Sequence, residues 1–365
     1  MKMRIYRLAA LTMVFAILFS VCLSNVAYAN GTVDIPDPGL EQAIRDQLQR
    51  PSGKITRTHM ESLTLLNATN KGIADLTGLE HATNLRILNL GNNRVTAISS
   101  LGKLRALREL DLRNNQISDI SSLASLQGLC SLDLRANNIS SISALSNLTS
   151  LKLLFLADNK IEDISPLSRM YRLTDLGLWN NSVTDIAPLR HLTNLEWLSL
   201  SNNKFTEITA LAGLRDLNYL SIWNNSIDNF SPLSQITSLQ ALDASCTGMA
   251  DLSVLTGLKK LTNLSVWGNK ISDLGPSANL SNLTYLKAQL NEITNVSPLL
   301  KLDKLDTVFI EGNPLDATNW GLMPELEERK VKIFHDPLPE AVEVKVNVNM
   351  NIWADTSKSI SVTIN

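Results

Sequence analysis

The sequence predicts an α/β solenoid: a right-handed coil of short repeats with a concave parallel β-sheet, short 3-10 turns on the convex side, a helical N-terminal cap and a short β-type C-terminal tail. Three observations predict it. Leu63, Leu85, Leu107, Leu129, Leu151, Leu173, Leu195, Leu217, Leu239, Leu261, Leu283 and Leu305 recur every twenty-two positions without a slip. Three positions after each of these ruler leucines stands another Leu, or Val308 in the last copy. Eight positions after, ten of the twelve copies carry Asn, the exceptions being Lys71 and Thr247.

Composition narrows the function classes. The 365 residues are 44% hydrophobic and 19% charged, which argues against a disordered chain. A net charge of −2 provides no polybasic footprint, so nucleic acid is not an expected partner. Three Cys exclude a disulfide scaffold, and four scattered His offer no metal cluster. No cofactor is implied.

The elements follow in order. Residues 1–29 read as a secretory signal peptide. Lys2, Arg4 and Arg7 precede an apolar run from Leu8 to Val21, and Ala27-Tyr28-Ala29 supplies a small-x-small cleavage site. The run is short for a membrane span of about 20 residues. Val21 occupies the place where a lipoprotein signal before Cys22 has a small residue. No later segment is apolar enough to span a bilayer. The exported chain, residues 30–365, is expected to be secreted and extracellular, or held non-covalently at a cell surface. Residues 30–62 read as a helical cap: Asp37 is an N-cap, Pro38 the first helical residue, and Leu40, Ile44 and Leu48 form one apolar face.

Residues 63–317 are the repeats. L-x-x-L-x-L alternates, so it is a strand with one buried face. The Asn column satisfies backbone groups where the chain turns inward. Fourteen positions after the ruler Leu comes a Ser or Thr column (Ser99, Ser121, Ser143, Ser165, Thr209, Ser231, Ser253, Ser297), often followed by Pro as in Pro166, Pro232 and Pro298. This pairing is expected to be an N-cap with Pro at N1 of a 3-10 turn, supported by Asp119, Asp163, Asp185, Asp251 and Asp273. Residues 318–341 should close the far end with Trp320, Leu322 and Met323. Residues 342–365 alternate from Val342 to Ile352 and from Ile360 to Ile364, which reads as a hairpin.

Residues two, four and six after each ruler Leu point away from the core. Twelve strands at about 4.8 Å make a face of roughly 55–60 Å. Phe155, Trp179, Trp197, Tyr219, Trp223, Trp267, Tyr285 and Phe309 all fall in these columns, eight of the fourteen aromatics in residues 30–365. Chance would place about one or two there, so they mark a binding stripe, the alternative being mutual packing that stiffens the sheet. Glu109, Asp111, Arg113, Asp133 and Arg135 form a charged patch beside them, which either steers a partner or is a solvated face. Cys130 and Cys246 lie five repeats apart, about 25 Å, and should be free. Ala244, Thr247 and Ala288 are smaller than the repeat expects, which should alter the curvature near residues 240–290.

The phrases "NKIEDISPLSRMYRLTDLGLWN" and "NSVTDIAPLRHLTNLEWLSLSN" make the pattern similar to leucine-rich repeats of the bacterial internalin type, over roughly residues 60–317. The cap "PGLEQAIRDQLQRPSGKITRTHMESL" resembles internalin caps too. Leu338-Pro339-Glu340 is followed by Ala341-Val342 in place of Thr-Gly, so the wall-sorting motif common among internalins is not expected. The resemblance implies a surface or secreted protein whose concave sheet binds an extracellular or cell-surface protein. A glycan or cell-wall polymer is the alternative ligand, since aromatic stripes also suit sugar rings. An enzyme is not expected: no Ser-His-Asp grouping or phosphate loop is present, and His59, His81, His191 and His335 have no catalytic partners in register.

Overall fold

The computed structural model describes residues 31–316, 319 and 321–337. The leader at 1–29, Trp320 and the alternating tail at 342–365 lie outside the described residues. Each turn of the coil lays down one short strand. They are β1 (Leu65–Asn67), β2 (Ile87–Asn89), β3 (Glu109–Asp111), β4 (Ser131–Asp133), β5 (Leu153–Phe155), β6 (Asp175–Gly177), β7 (Trp197–Ser199), β8 (Tyr219–Ser221), β9 (Ala241–Asp243), β10 (Asn263–Ser265), β11 (Tyr285–Lys287), β12 (Thr307–Phe309) and β13 (Lys332–Phe334). Every neighbouring pair is parallel and the order is sequential, so the rest of each repeat is the crossover that parallel pairing requires. From β1 to β12 partners stand one ruler interval apart, as in Leu154 with Leu176. The last step is three positions longer, pairing Val308 with Ile333.

The alternating leucines point inward and meet the apolar positions of the return path. In the fifth copy Leu151, Leu154, Leu156, Ile161, Ile164, Leu167 and Met170 are all buried. Seven such side chains per turn, at roughly 1.5–3 kcal/mol each, make burial between neighbouring turns the main stabilising force. Ala244 and Ala288 are also fully buried, and strand register is unbroken past both.

The Asn column is an internal ladder. Asn137 Nδ2 donates to the carbonyls of Leu112 (3.0 Å) and Leu134 (3.1 Å), and its Oδ1 accepts from Ile117 N (3.0 Å). Asn115, Asn159, Asn181, Asn203, Asn269, Asn291 and Asn313 repeat the scheme. Thr247 keeps one of these bonds, from its hydroxyl to Ala244 O (2.6 Å). The residue before the Asn column is left-handed in every copy: Asn70, Asn92, Asn114, Ala136, Asp158, Asn180, Asn202, Asn224, Cys246 and Leu290 all have φ between 51° and 58°, and Gly268 and Gly312 complete the column. Asn tolerates this backbone better than other L-residues.

The convex turns are 3-10, such as Ser165–Leu167 and Ala187–His191. The expected capping role of Ser is corrected. Ser165 is the first residue of its turn, and Ile164 takes the cap position without a side-chain bond. Asp163 does the capping, its Oδ1 accepting from Ser165 N at 2.7 Å. Asp119, Asp185, Asp251 and Asp273 accept likewise from the residue two on. A carboxylate reaches the N–H two residues ahead, which the hydroxyl of Ser, already inside the turn, cannot do. Hydrogen bonds from the serine two residues on hold the Asp119, Asp163 and Asp251 carboxyls below the usual range.

The N-terminal cap comprises α1 (Pro38–Leu48) and α2 (Arg57–Glu61). Leu40, Ala43 and Ile44 are buried, as the apolar face requires. Asp37 Oδ1 accepts from Gly39 N and Leu40 N, and its Oδ2 accepts from Ala74 N (2.8 Å) and Asp75 N (3.2 Å) in the first repeat. One carboxylate thus both starts α1 and bolts it to the solenoid. A Cβ at Gly39 would sit 2.4 Å from Lys71 O, so only glycine permits this approach. Burial pushes the Asp37 carboxyl up, but the four backbone N–H bonds outweigh it and hold it below the usual value. Its contribution is therefore present above the ordinary carboxylate range and is lost as pH falls through the lowered folded-state value. Asp37→Asn keeps the cap oxygen but turns an NH2 group toward the Ala74 and Asp75 amides, so it should cost about 1–3 kcal/mol at neutral pH in urea unfolding, with the gap to wild type closing as pH falls below about 4.

At the far end α3 (Met323–Glu328) buries Met323 and Leu326, with Leu322 partly buried beside them. The segment then returns to form β13, which the leucine ruler does not foreshadow.

Candidate functional site

The outward columns of the sheet place aromatic side chains on one concave face, where the structure sorts them into two ladders. In the first, the rings of Phe155 and Trp197 meet edge to face at 6.1 Å and 68°. They belong to β5 and β7, two strands apart. Gly177 on β6 makes this possible: a Cβ there would lie 3.2 Å from Phe155 Cδ1 and 3.5 Å from Trp197 Cζ3. Trp197 then stacks on Tyr219 at 5.3 Å and 8°. At the other end the Arg135 guanidinium lies 5.2 Å from the Phe155 ring centre, a cation–π contact.

The second ladder joins Tyr285 to Phe309 (5.6 Å, 57°) and Phe309 to Phe334 (4.3 Å, 6°). Lys287 Nζ lies 5.7 Å and 5.9 Å from the Tyr285 and Phe309 ring centres. Between the ladders, β9 and β10 present only Ala241, Asp243, Asn263 and Ser265 outward.

Trp179, Trp223 and Trp267 share the outermost of the three columns, at alternate repeats. Trp179 is 39% exposed, whereas Trp223 and Trp267 are half-buried. Ser245, between the latter two, is fully buried, and its hydroxyl donates to Asp243 Oδ1 at 2.7 Å. Trp223 Nε1 is buried beside the Cys246 thiol. Cys130 and Cys246 are free, and burial pushes the Cys246 thiol up.

The charged patch is ordered. Arg135 Nε donates to both oxygens of Asp133 at 3.0 and 3.1 Å, while Arg113 Nε lies 3.5 Å from Asp111 Oδ2. The Asp133 bond stabilises charged Arg135 and raises its pKa; burial, reinforced by Asp133, pushes Asp111 up. Arg135 thereby joins the patch to the first ladder. Arg113, Arg135, Asp158 and Trp179 share a cleft at the concave rim. Glu109 stands exposed on β3.

The eight aromatics of the expected stripe lie on the concave face, and the ladder rings pack on one another while staying partly exposed. Sequence reasoning misses Phe334, Lys287 and Gly177. Lys287 stands in an outward column beside Tyr285, and Gly177 is the one glycine at the middle outward position of a repeat, so both are legible. Phe334 is not, because β13 is out of phase. Among the described residues no group of three His, Cys, Asp or Glu is placed to hold a metal ion, and no helix is long and apolar enough to cross a membrane.

Family models of Leucine Rich repeats (2 copies) match residues 83–125, 127–169 and 193–235. No curated protein matches the chain. Among solved structures it is similar to an internalin (inlF) from Listeria monocytogenes str. 4b F2365, with a TM-score of 0.79 and 34% identity, covering 83% of this chain and 91% of that one. The functional domain of InlJ from Listeria monocytogenes is similar at TM-score 0.62 and 21% identity, over 84% and 62% of the two chains. The plant peptide hormone receptor RGFR1 follows at TM-score 0.59 and 24% identity, over 72% and 50%. The last two likenesses are of fold.

Proposed function

The chain belongs to the internalin family of leucine-rich repeat proteins, and from that premise we propose that it is an exported binding module that holds an extracellular or cell-surface protein on its concave sheet. The observation that carries this reading is the pair of aromatic ladders, Phe155–Trp197–Tyr219 and Tyr285–Phe309–Phe334, on an open face with no covering element among the described residues. Aromatic rings that are already ordered lose little entropy when a partner covers them, and they shed water, which is why such residues dominate interface energetics. The Arg135–Asp133 pair fixes the polar margin of the first ladder and contributes orientation more than affinity. The leader-like start of the sequence supports export.

The test is binding of the chain to a panel of extracellular proteins and purified wall glycans. One protein should bind, and Trp197→Ala should weaken it about thirtyfold, the effect of removing a hot-spot residue worth about 2 kcal/mol. Binding to a glycan alone would overturn the reading in favour of a wall polymer. Protein binding untouched by Trp197→Ala and by the combined Trp179→Ala, Trp223→Ala, Trp267→Ala variant would remove the site from this face.

A further inference from the structure

The backbone ladder runs one residue beyond the N-terminal end of each strand. Arg108 N donates to Arg86 O, Cys130 N to Arg108 O and Lys152 N to Cys130 O, each at 2.8 Å. Arg86, Arg108 and Lys152 therefore stand in one column at strand spacing, about 4.8 Å per repeat. Arg105 and Arg172 lie in the turns that lead into β3 and β6, on the same flank. In copies two to six the three positions around the ruler Leu hold these five basic residues and no acidic one, in a chain whose net charge is −2. All five are exposed, and among the described residues none forms an ion pair. Arg108 is held in place: Nη1 donates to Leu107 O (3.0 Å), and the guanidinium lies across Gly128, where a Cβ would sit 2.0 Å from Nη1. Glu61 in the first copy pairs with Arg57, and beyond the sixth copy the next acids on the flank are Glu196 and Asp216, beside Trp197 and Tyr219. They share a cleft with Lys152, Arg172, Thr174 and Asn194.

We propose that this basic flank docks an acidic protein surface, the carboxylate-bearing part of the partner held on the concave sheet; it rests on the proposed function in that respect. Four of the five cations are Arg, whose planar fork matches a carboxylate bidentately. Without ion-pair partners among the described residues, they are available to another molecule. The flank borders the outward column that carries Trp197 and Tyr219, so one partner spans both. The change of sign at Glu196 sets which way round it lies along the arc. Charge of this kind acts mainly on the rate of association.

The probe is poly-L-glutamate titrated onto the full chain. Binding should be present at low salt and weaken steeply as salt rises. The Arg86→Glu, Arg105→Glu, Lys152→Glu variant should bind about tenfold more weakly. The Lys204→Glu, Lys270→Glu, Lys301→Glu variant carries the same change in net charge at exposed positions off the flank and should stay within about twofold. Trp197→Ala should leave poly-L-glutamate binding unchanged, so failure of the concave site and failure of the flank are separable. Equal loss in both charge variants would reduce the effect to net charge and overturn the proposal. Absence of binding at low salt would do the same. Binding to heparin that poly-L-glutamate cannot displace would reassign the flank to a sulfated polymer.

Discussion

Replacing Asn137 with alanine is expected to destabilise the protein by about 2–4 kcal/mol. The side chain is buried and joins three segments of chain: it donates to Leu112 O and Leu134 O and accepts from Ile117 N. Removing it leaves the buried Ile117 N–H without a partner, at about 1–3 kcal/mol when no water enters, while Leu112 O and Leu134 O each lose one of two bonds and keep the other, from Asn115 Nδ2 and Asn159 Nδ2. Asn137→Asp should be no better, because it keeps the acceptor but loses both donors and buries a charge. Asn137→Thr should be milder, since Thr247 shows that a hydroxyl retains the carbonyl bond three residues back. The exposed neighbour Asn138 is the control, where Ala should change stability by less than about 0.5 kcal/mol. Urea unfolding measures the loss and hydrogen exchange locates it. The Ile117 amide should lose protection first, because contacts in a repeat protein run between neighbours. A loss no larger than that of the control would mean that water replaces the ladder bonds.

Gly177→Leu should leave stability within about 1 kcal/mol yet abolish most partner binding, a loss of about a hundredfold or more. Gly177 faces outward, so the added side chain need not enter the core. It must instead part the Phe155 and Trp197 rings, whose nearest atoms already stand 3.2 and 3.5 Å from where its Cβ would be. Two rings of the first ladder are displaced at once, a larger change than truncating Trp197 alone. Near-ultraviolet circular dichroism should report the altered Trp197–Tyr219 stack, and titration of the partner the lost affinity. A ladder rearranged by both methods with unchanged affinity would place recognition on the second ladder.

Much of the fold is legible because each structural role is written once per turn and repeated. Leu154, Asn159 and Asp163 keep their meanings in the neighbouring copies, so a single reading error stands out. What escapes is whatever is out of phase or depends on absence. The step from β12 to β13 is longer than the ruler interval, so periodicity does not assign Phe334 to the second ladder. Gly177 matters through the side chain it lacks, and the ring contact across it joins copies that are not adjacent. The left-handed column is visible as the first Asn of Asn92-Asn93, Asn114-Asn115 and Asn180-Asn181, but Ala136, Cys246 and Leu290 hide its generality. Sequence reasoning gives Ser165 the capping role because hydroxyls commonly cap helices; Asp163 takes it because the turn starts at Ser165 itself, whose N–H the Asp163 carboxylate reaches.

The uninterrupted register has a consequence for how such a molecule changes over generations. The gap between the ladders is made of whole copies, β9 and β10, with the same pairing on either side. Duplicating or deleting one repeat there would move one ladder relative to the other by a single step of about 4.8 Å, leaving the rings of each untouched. The separation of the two contact points is thus quantised, like the jaws of a calliper with fixed stops. A lineage could try successive settings by recombination between its own repeats, without redesigning either jaw.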